Sequence, residues 1–152
     1  NELVKNVDAP FVSSVYLYKD RGQKLKMGPA WDFDLAAGNV DFSRARDPRG
    51  WRIRDQALWF NRLFQDPVFA KKVRQRWNSI KRAQIDTLPA YVDQLAAALA
   101  ISHRENYRRW PLAQHDWPNA VVPGSYAGEL RYLKNWLEQR IAWMDRRLNE
   151  MD

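Results

Sequence analysis

The chain has 152 residues, 45% of them apolar and 13% aromatic, and carries a net charge of +7. That length and composition support a packed core and exclude a disordered chain. Cysteine is absent, which excludes disulfides, thiolate chemistry and cysteine zinc sites. No run is long and apolar enough to cross a membrane. The eight tryptophans imply a large aromatic core or exposed stacking surfaces, and their place on helical stripes favours the core.

The chain opens on Asn1–Lys5, which reads as the end of a helix, as in a fragment of a longer protein. Asn6-Val7-Asp8 follows as an acidic loop. Val12 to Lys19 is rich in β-branched and aromatic residues and predicts a strand. Asp20-Arg21-Gly22-Gln23 is a turn, with Gly22 free to take positive φ. Lys24-Leu25-Lys26-Met27 alternates charged and apolar residues, as a strand with one buried face does. The two strands predict a hairpin, and Gly28-Pro29 ends it.

Asp32 and Asp34 come next, two residues apart among Trp31, Phe33 and Leu35. Carboxylates in apolar surroundings are costly unless something neutralises them. A hard divalent cation does so, since magnesium takes carboxylate oxygen and shares its other positions with phosphate.

Residues 41–56 show no hydrophobic period and predict an irregular loop. The remainder, 57–152, reads as helical. Ala57 to Phe64 forms a short helix. Asp66-Pro67 is a strong helix start, with Asp66 as N-cap and Pro67 in the first turn. The helix after it carries Phe69, Val73, Trp77 and Ile80 on one side and charges on the rest. Thr87 and Pro89 begin another, which either runs to Arg108 or restarts near Ser102. Pro111 and Pro118 bracket a loop. Pro123-Gly124-Ser125 opens the last helix, extending to about Leu148. Its stripe of Tyr126, Leu130, Leu133, Leu137, Ile141, Met144 and Leu148 recurs at spacings of three and four. Lys134 and Arg140 read as its polar flanks. The fold class is therefore α+β and mostly helical, a β-hairpin joined to a helical bundle, in one domain or fragment.

The charge is uneven. Residues 44–82 hold twelve Lys/Arg against three Asp/Glu, whereas residues 1–40 balance at five of each. A phosphate-bearing or acidic partner fits the basic segment, and so does a solvated helix face. His103 and His115 lack zinc spacing, and no nucleophile elbow or Ser-His-Asp set supports a hydrolase.

The order of acidic loop, hairpin and Asp-Phe-Asp is the one protein kinases use. Three segments, Glu2 to Asp8, Ser14-Val15-Tyr16-Leu17-Tyr18-Lys19-Asp20 and Gly28-Pro29-Ala30-Trp31-Asp32-Phe33-Asp34, resemble the CotH spore-coat kinase family of atypical protein kinases. The closest similarity covers residues 1 to about 40. A weaker likeness continues through Asn61 to Pro67 and Leu133 to Arg140.

The resemblance implies the C-terminal lobe of a kinase-like fold. It implies that Asp8 accepts the hydroxyl's proton or orients the hydroxyl. Asp32 is the implied metal ligand, with Asp34 a second ligand or outer partner. Asn6 helps hold the metal or the loop. The cofactor is magnesium or manganese, ATP the co-substrate, and the acceptor a protein hydroxyl.

The chain departs from the usual kinase pattern in three places. Ser13 stands where kinases place a metal-binding Asn, no His-Arg precedes Asp8, and Asp34 replaces the glycine of Asp-Phe-Gly. Asn39 could supply a missing amide or form a turn. No Gly-rich phosphate loop or strand lysine is present, so the resemblance implies that these lie upstream and that this portion alone is inactive. The family setting is a spore coat, cell surface or secreted location. Two other readings remain: a non-catalytic coat or surface assembly domain, and a nucleic-acid binder using residues 44–82 with Trp51 and Trp77.

Overall fold

The computed structural model describes residues 1–111, 119 and 121–151. His115 and Pro118 lie outside them. The chain forms a two-stranded antiparallel hairpin, β1 (Leu17–Tyr18) and β2 (Lys26–Met27), with Leu17 opposite Met27 and Tyr18 opposite Lys26. Six α-helices follow among the described residues: α1 (Ile53–Gln56), α2 (Leu58–Leu63), α3 (Pro67–Ile80), α4 (Leu88–Ala98), α5 (Ala100–Arg109) and α6 (Tyr126–Asn149). The architecture is α+β and mostly helical.

Local chemistry fixes the long helices. The Asp66 carboxylate accepts from Val68 N at 2.8 Å and opens α3, with Pro67 in its first turn. This satisfies one of the donors left free at every helix start. Ser125 Oγ accepts from Gly128 N at 3.1 Å and opens α6. A π-helical turn, Lys81–Ile85, follows α3. The stretch after Thr87 breaks at Leu99 into α4 and α5.

The main core lies where α3 and α6 meet. Trp77 and Ile85 pack with Ile141, Trp143, Met144 and Leu148. Trp51 lies edge-on to Trp143, ring centroids 4.8 Å apart. Trp77 Nε1 donates to Asp145 Oδ1 at 2.8 Å, so the indole's polar atom is matched inside the core. A smaller cluster of Val7, Val40 and Ala45, with Leu35 against it, underlies the loops at the other end of α6. Gly38 touches α6 there. A Cβ on Gly38 would stand 2.5 Å from the Trp136 ring, and its φ is +84°, so this close approach admits only glycine.

Four expectations need correction. Residues 1–5 make a turn rather than a helix end. Lys5 N donates to Glu2 O at 3.1 Å, and Lys5 itself takes φ +48°. The hairpin strands are two residues each, and both faces are exposed. A hairpin with no third strand and no packed face has little to extend its pairing. Residues 41–56 hold a 3₁₀ turn at Arg44–Arg46 and the short helix α1.

The fourth correction concerns Arg140. It is fully buried, at 0% exposure, on the inner face of α6. Its guanidinium donates to the carbonyls of Glu2, Leu3, Pro48 and Gly50, and to Glu2 Oε1 at 2.7 Å. A buried charge survives only when paired and hydrogen-bonded. Lys5 repeats the device, with Nζ donating to the carbonyls of Arg44, Asp47 and Arg49. Two buried cations thus gather residues 44–50 onto the first turn of the chain.

Candidate active site

The acidic loop and the Asp-Phe-Asp segment meet through main-chain bonds. Val7 N donates to Leu35 O at 3.0 Å, and Ala37 N donates to Val4 O at 2.7 Å. Asn6, 3% exposed, spans the junction. Its Nδ2 donates to Asp32 O at 3.0 Å, while its Oδ1 accepts from Asp8 N at 3.1 Å. One amide therefore sets both loops that carry the candidate carboxylates. Asp8 itself is half-buried.

Asp32 adopts a left-handed backbone, φ +58°. Aspartate tolerates that region better than most non-glycine residues. The conformation persists because Asn6 holds the Asp32 carbonyl and Ser14 holds its side chain. Ser14 Oγ donates to Asp32 Oδ2 at 2.8 Å, and the Asp32 side chain is exposed to solvent. Among the described residues, the non-glycine positions with positive φ are Lys5, Phe11, Ser14, Asp32 and Ala37. All of them lie in the segment that carries Asp8 and Asp32. Strain of about 1–3 kcal/mol at each such residue clusters at functional sites and is held by surrounding contacts.

Asp34 is placed differently. Its Oδ1 accepts from Leu35 N at 2.8 Å, and Asn39 Nδ2 donates to its carbonyl at 3.0 Å. Its carboxylate closes its own turn, and Asn39 braces that turn. Among the described residues, no three His, Asp or Glu side chains converge as a ready metal shell. The donor set nonetheless fits magnesium in its usual form, held by one or two carboxylates with water and phosphate completing the shell. Asp32 offers such a carboxylate to solvent.

A hollow of about 190 Å³ opens beside Asp32, lined by Ser14, Gly28, Trp31 and Phe33 among others. A larger apolar cavity of about 510 Å³ lies behind the acidic loop, between Ala9, α3 and α6. The carboxylates belong to neither wall.

Charges behind the loop are arranged in sequence. The Glu2 carboxylate accepts from Arg140, from Arg52 N at 3.0 Å and from Arg54 N at 2.9 Å. Arg52 Nη2 donates to Val7 O at 2.8 Å. Burial lowers the Arg52 pKa, opposed by the carboxylates of Asp8 and Glu2. Burial also brings Lys5 down to about 8, with the Arg140 cation adding to the effect.

Sequence reasoning singled out Asn6, Asp8, Asp32 and Asp34, and it missed the contacts that Ser14, Glu2 and Arg52 make around them. No sequence signal marks Ser14, whose contact depends on the loop's path. Glu2 carried a signal in hindsight, being the lone acid in the first seven residues.

The family model described as CotH kinase protein matches residues 1–144. The chain belongs to the CotH kinase family. The match reaches past the Asp-Phe-Asp segment and takes in the helices through most of α6, so the CotH chain is related along nearly its whole length. No curated protein and no solved structure matches it.

Proposed function

We propose that this chain is the C-terminal catalytic portion of a CotH-like protein kinase. It transfers the γ-phosphoryl of ATP to a protein hydroxyl with magnesium or manganese as cofactor. The observation that carries this reading is Asn6, whose side chain binds the Asp8 loop and the Asp32 carbonyl at once, in a chain of the kinase family.

Phosphoryl transfer is mostly positioning and charge neutralisation. Asp32 would hold the cation through its exposed carboxylate, which Ser14 orients. Such a cation would supply charge neutralisation at the phosphate oxygens. Asp8 receives or orients the proton of the attacking hydroxyl. Asn6 acts as the tie between the two loops, with its amide nitrogen and oxygen both engaged. Asp34 acts one step away, through the turn that sets Asp32. In this reading the phosphate-covering loop and its lysine come from another part of the polypeptide, and residues 1–152 supply the metal and hydroxyl half of the site.

The test is transfer of labelled γ-phosphate from ATP to protein by the full-length enzyme, with and without magnesium. Magnesium-dependent label on serine or threonine, lost in Asp8→Asn, is the expected result. A folded full-length protein that transfers no label to itself or to protein substrates would make this a non-catalytic assembly domain.

A further inference from the structure

The candidate loop needs an anchor, because Asp8 lies between residues with strained or irregular backbone. Ala9 N reaches Asn6 O at 3.3 Å and Val12 N reaches Asp8 O at 3.0 Å, so the loop's own bonds are few. The residue before Asp8 is held from outside the loop at both ends of its main chain, Val7 N donating to Leu35 O at 3.0 Å and its carbonyl accepting a charge-assisted bond from Arg52. Arg52 sits at the N-terminal edge of α1, where its side chain caps nothing. Its main chain is fixed instead, with N donating to Glu2 Oε1 at 3.0 Å and its carbonyl accepting from Gln56 N at 3.0 Å. The side chain turns back and delivers Nη2 to Val7 O at 2.8 Å.

The geometry points to Arg52 as the positioning residue of the catalytic loop, holding Asp8 in place through the Val7 carbonyl. This rests on the reading of Asp8 as the residue that handles the acceptor hydroxyl.

Three features separate this from an ordinary surface contact. First, the donor is a half-buried guanidinium whose Nε is enclosed without a partner among the described residues. Placing an arginine so is costly, and the contact it makes is a charge-assisted bond of the stronger kind. Second, Asp8 and Glu2 are the carboxylates whose fields act on the Arg52 cation. The cation therefore lies within electrostatic range of Asp8 while touching only its neighbour's carbonyl. Third, Arg52 is the last member of a chain of contacts. Arg140 on α6 binds Glu2, Glu2 binds Arg52 N, and Arg52 binds Val7 O. The loop is thereby referred to the most buried helix in the fold. Arg52 touches no reacting atom in this arrangement, so its role is placement.

Two readouts test this, both on the full-length protein. Hydrogen exchange over residues 6–13 reads the loop directly and needs no activity. Removing this charge-assisted bond should raise opening of the segment about tenfold or more. Arg52→Met should show that increase at residues 6–13 with exchange in α6 unchanged. Arg52→Lys keeps a cation and a donor and should recover most of the protection. If Arg52→Met fails to fold, Arg52→Lys alone decides, by a smaller rise confined to the same segment.

The second readout is phosphate transfer. Arg52→Met should lower kcat about tenfold while KM for ATP stays within twofold. Unchanged exchange at residues 6–13 overturns the assignment, as does a rise spread equally over α6. A loosened loop with unchanged kcat in an active enzyme also overturns it. Absence of transfer in the unsubstituted protein instead defeats the kinase reading, and exchange then decides the anchor by itself.

Discussion

The Asn6 side chain donates to the main-chain carbonyl of Asp32, 26 residues away, at 3.0 Å. That bond joins two loops that share no sheet or helix. The same amide accepts from Asp8 N, so one buried side chain joins the main-chain bonds Val7 N–Leu35 O and Ala37 N–Val4 O in setting the spacing between the two candidate carboxylates. Asn6→Ala should leave the Asp32 carbonyl and Asp8 N without these partners, a cost of about 1–3 kcal/mol for groups left unsatisfied. Thermal denaturation measures that loss, and transfer activity should fall further than the unfolded fraction explains. Asn6→Asp retains the acceptor for Asp8 N but buries a carboxylate oxygen against the Asp32 carbonyl, so it should not restore stability at neutral pH.

Arg140 carries the largest single stability expectation. Its five contacts leave no atom of the guanidinium facing water. Arg140→Met removes the cation paired with Glu2 and leaves the carbonyls of Glu2, Leu3, Pro48 and Gly50 without that donor, a cost of about 3–5 kcal/mol. Urea denaturation should show it. Since Glu2 also holds Arg52 and Arg54, the variant should loosen the Asp8 loop as well. An unchanged midpoint would mean that the Glu2 pair contributes nothing net.

Lys5 predicts a pH dependence. Burial, helped by Arg140, brings its folded pKa to about 8 from 10.5, with Asp47 and Glu2 opposing and Arg52 adding a smaller decrease. Between those values the unfolded chain binds more protons than the folded one, so stability rises with pH. The rise should begin near pH 8 and continue toward pH 10. Tyr107 and Tyr132, whose phenols burial pushes up, act in the opposite direction at higher pH. Urea denaturation at about pH 8 and about pH 10 checks this, and Lys5→Met should flatten the difference.

Much of the helical part was legible because period and caps agree. Asp66 and Pro67 opened α3, and Ser125 opened α6, each by the bond that its residue type favours. The stripe from Leu137 to Leu148 is buried as its spacing requires. Helix α1 was not legible, since four residues are too few to show a period. The strands came out shorter because pairing depends on packing that Tyr18 and Met27 lack. Arg140 misled for a general reason: charge is read as exposure. Its position four residues after Trp136 and three before Trp143 puts it on the inward face, and the Glu2 carboxylate with the carbonyls gathered from residues 2–50 makes that tolerable. At the candidate site, residue types and order drew attention to Asp8 and Asp32. Ser14, Glu2 and Arg52 depend on long-range loop paths that no local pattern encodes.

We propose that Asp32 holds the catalytic cation. Magnesium-dependent ATP turnover by the full-length Asp32→Asn protein measures it, alongside circular dichroism to establish the fold. Turnover should fall to background at saturating magnesium with an unchanged helical spectrum. Wild-type turnover in a folded Asp32→Asn protein would contradict it and remove Asp32 from the site.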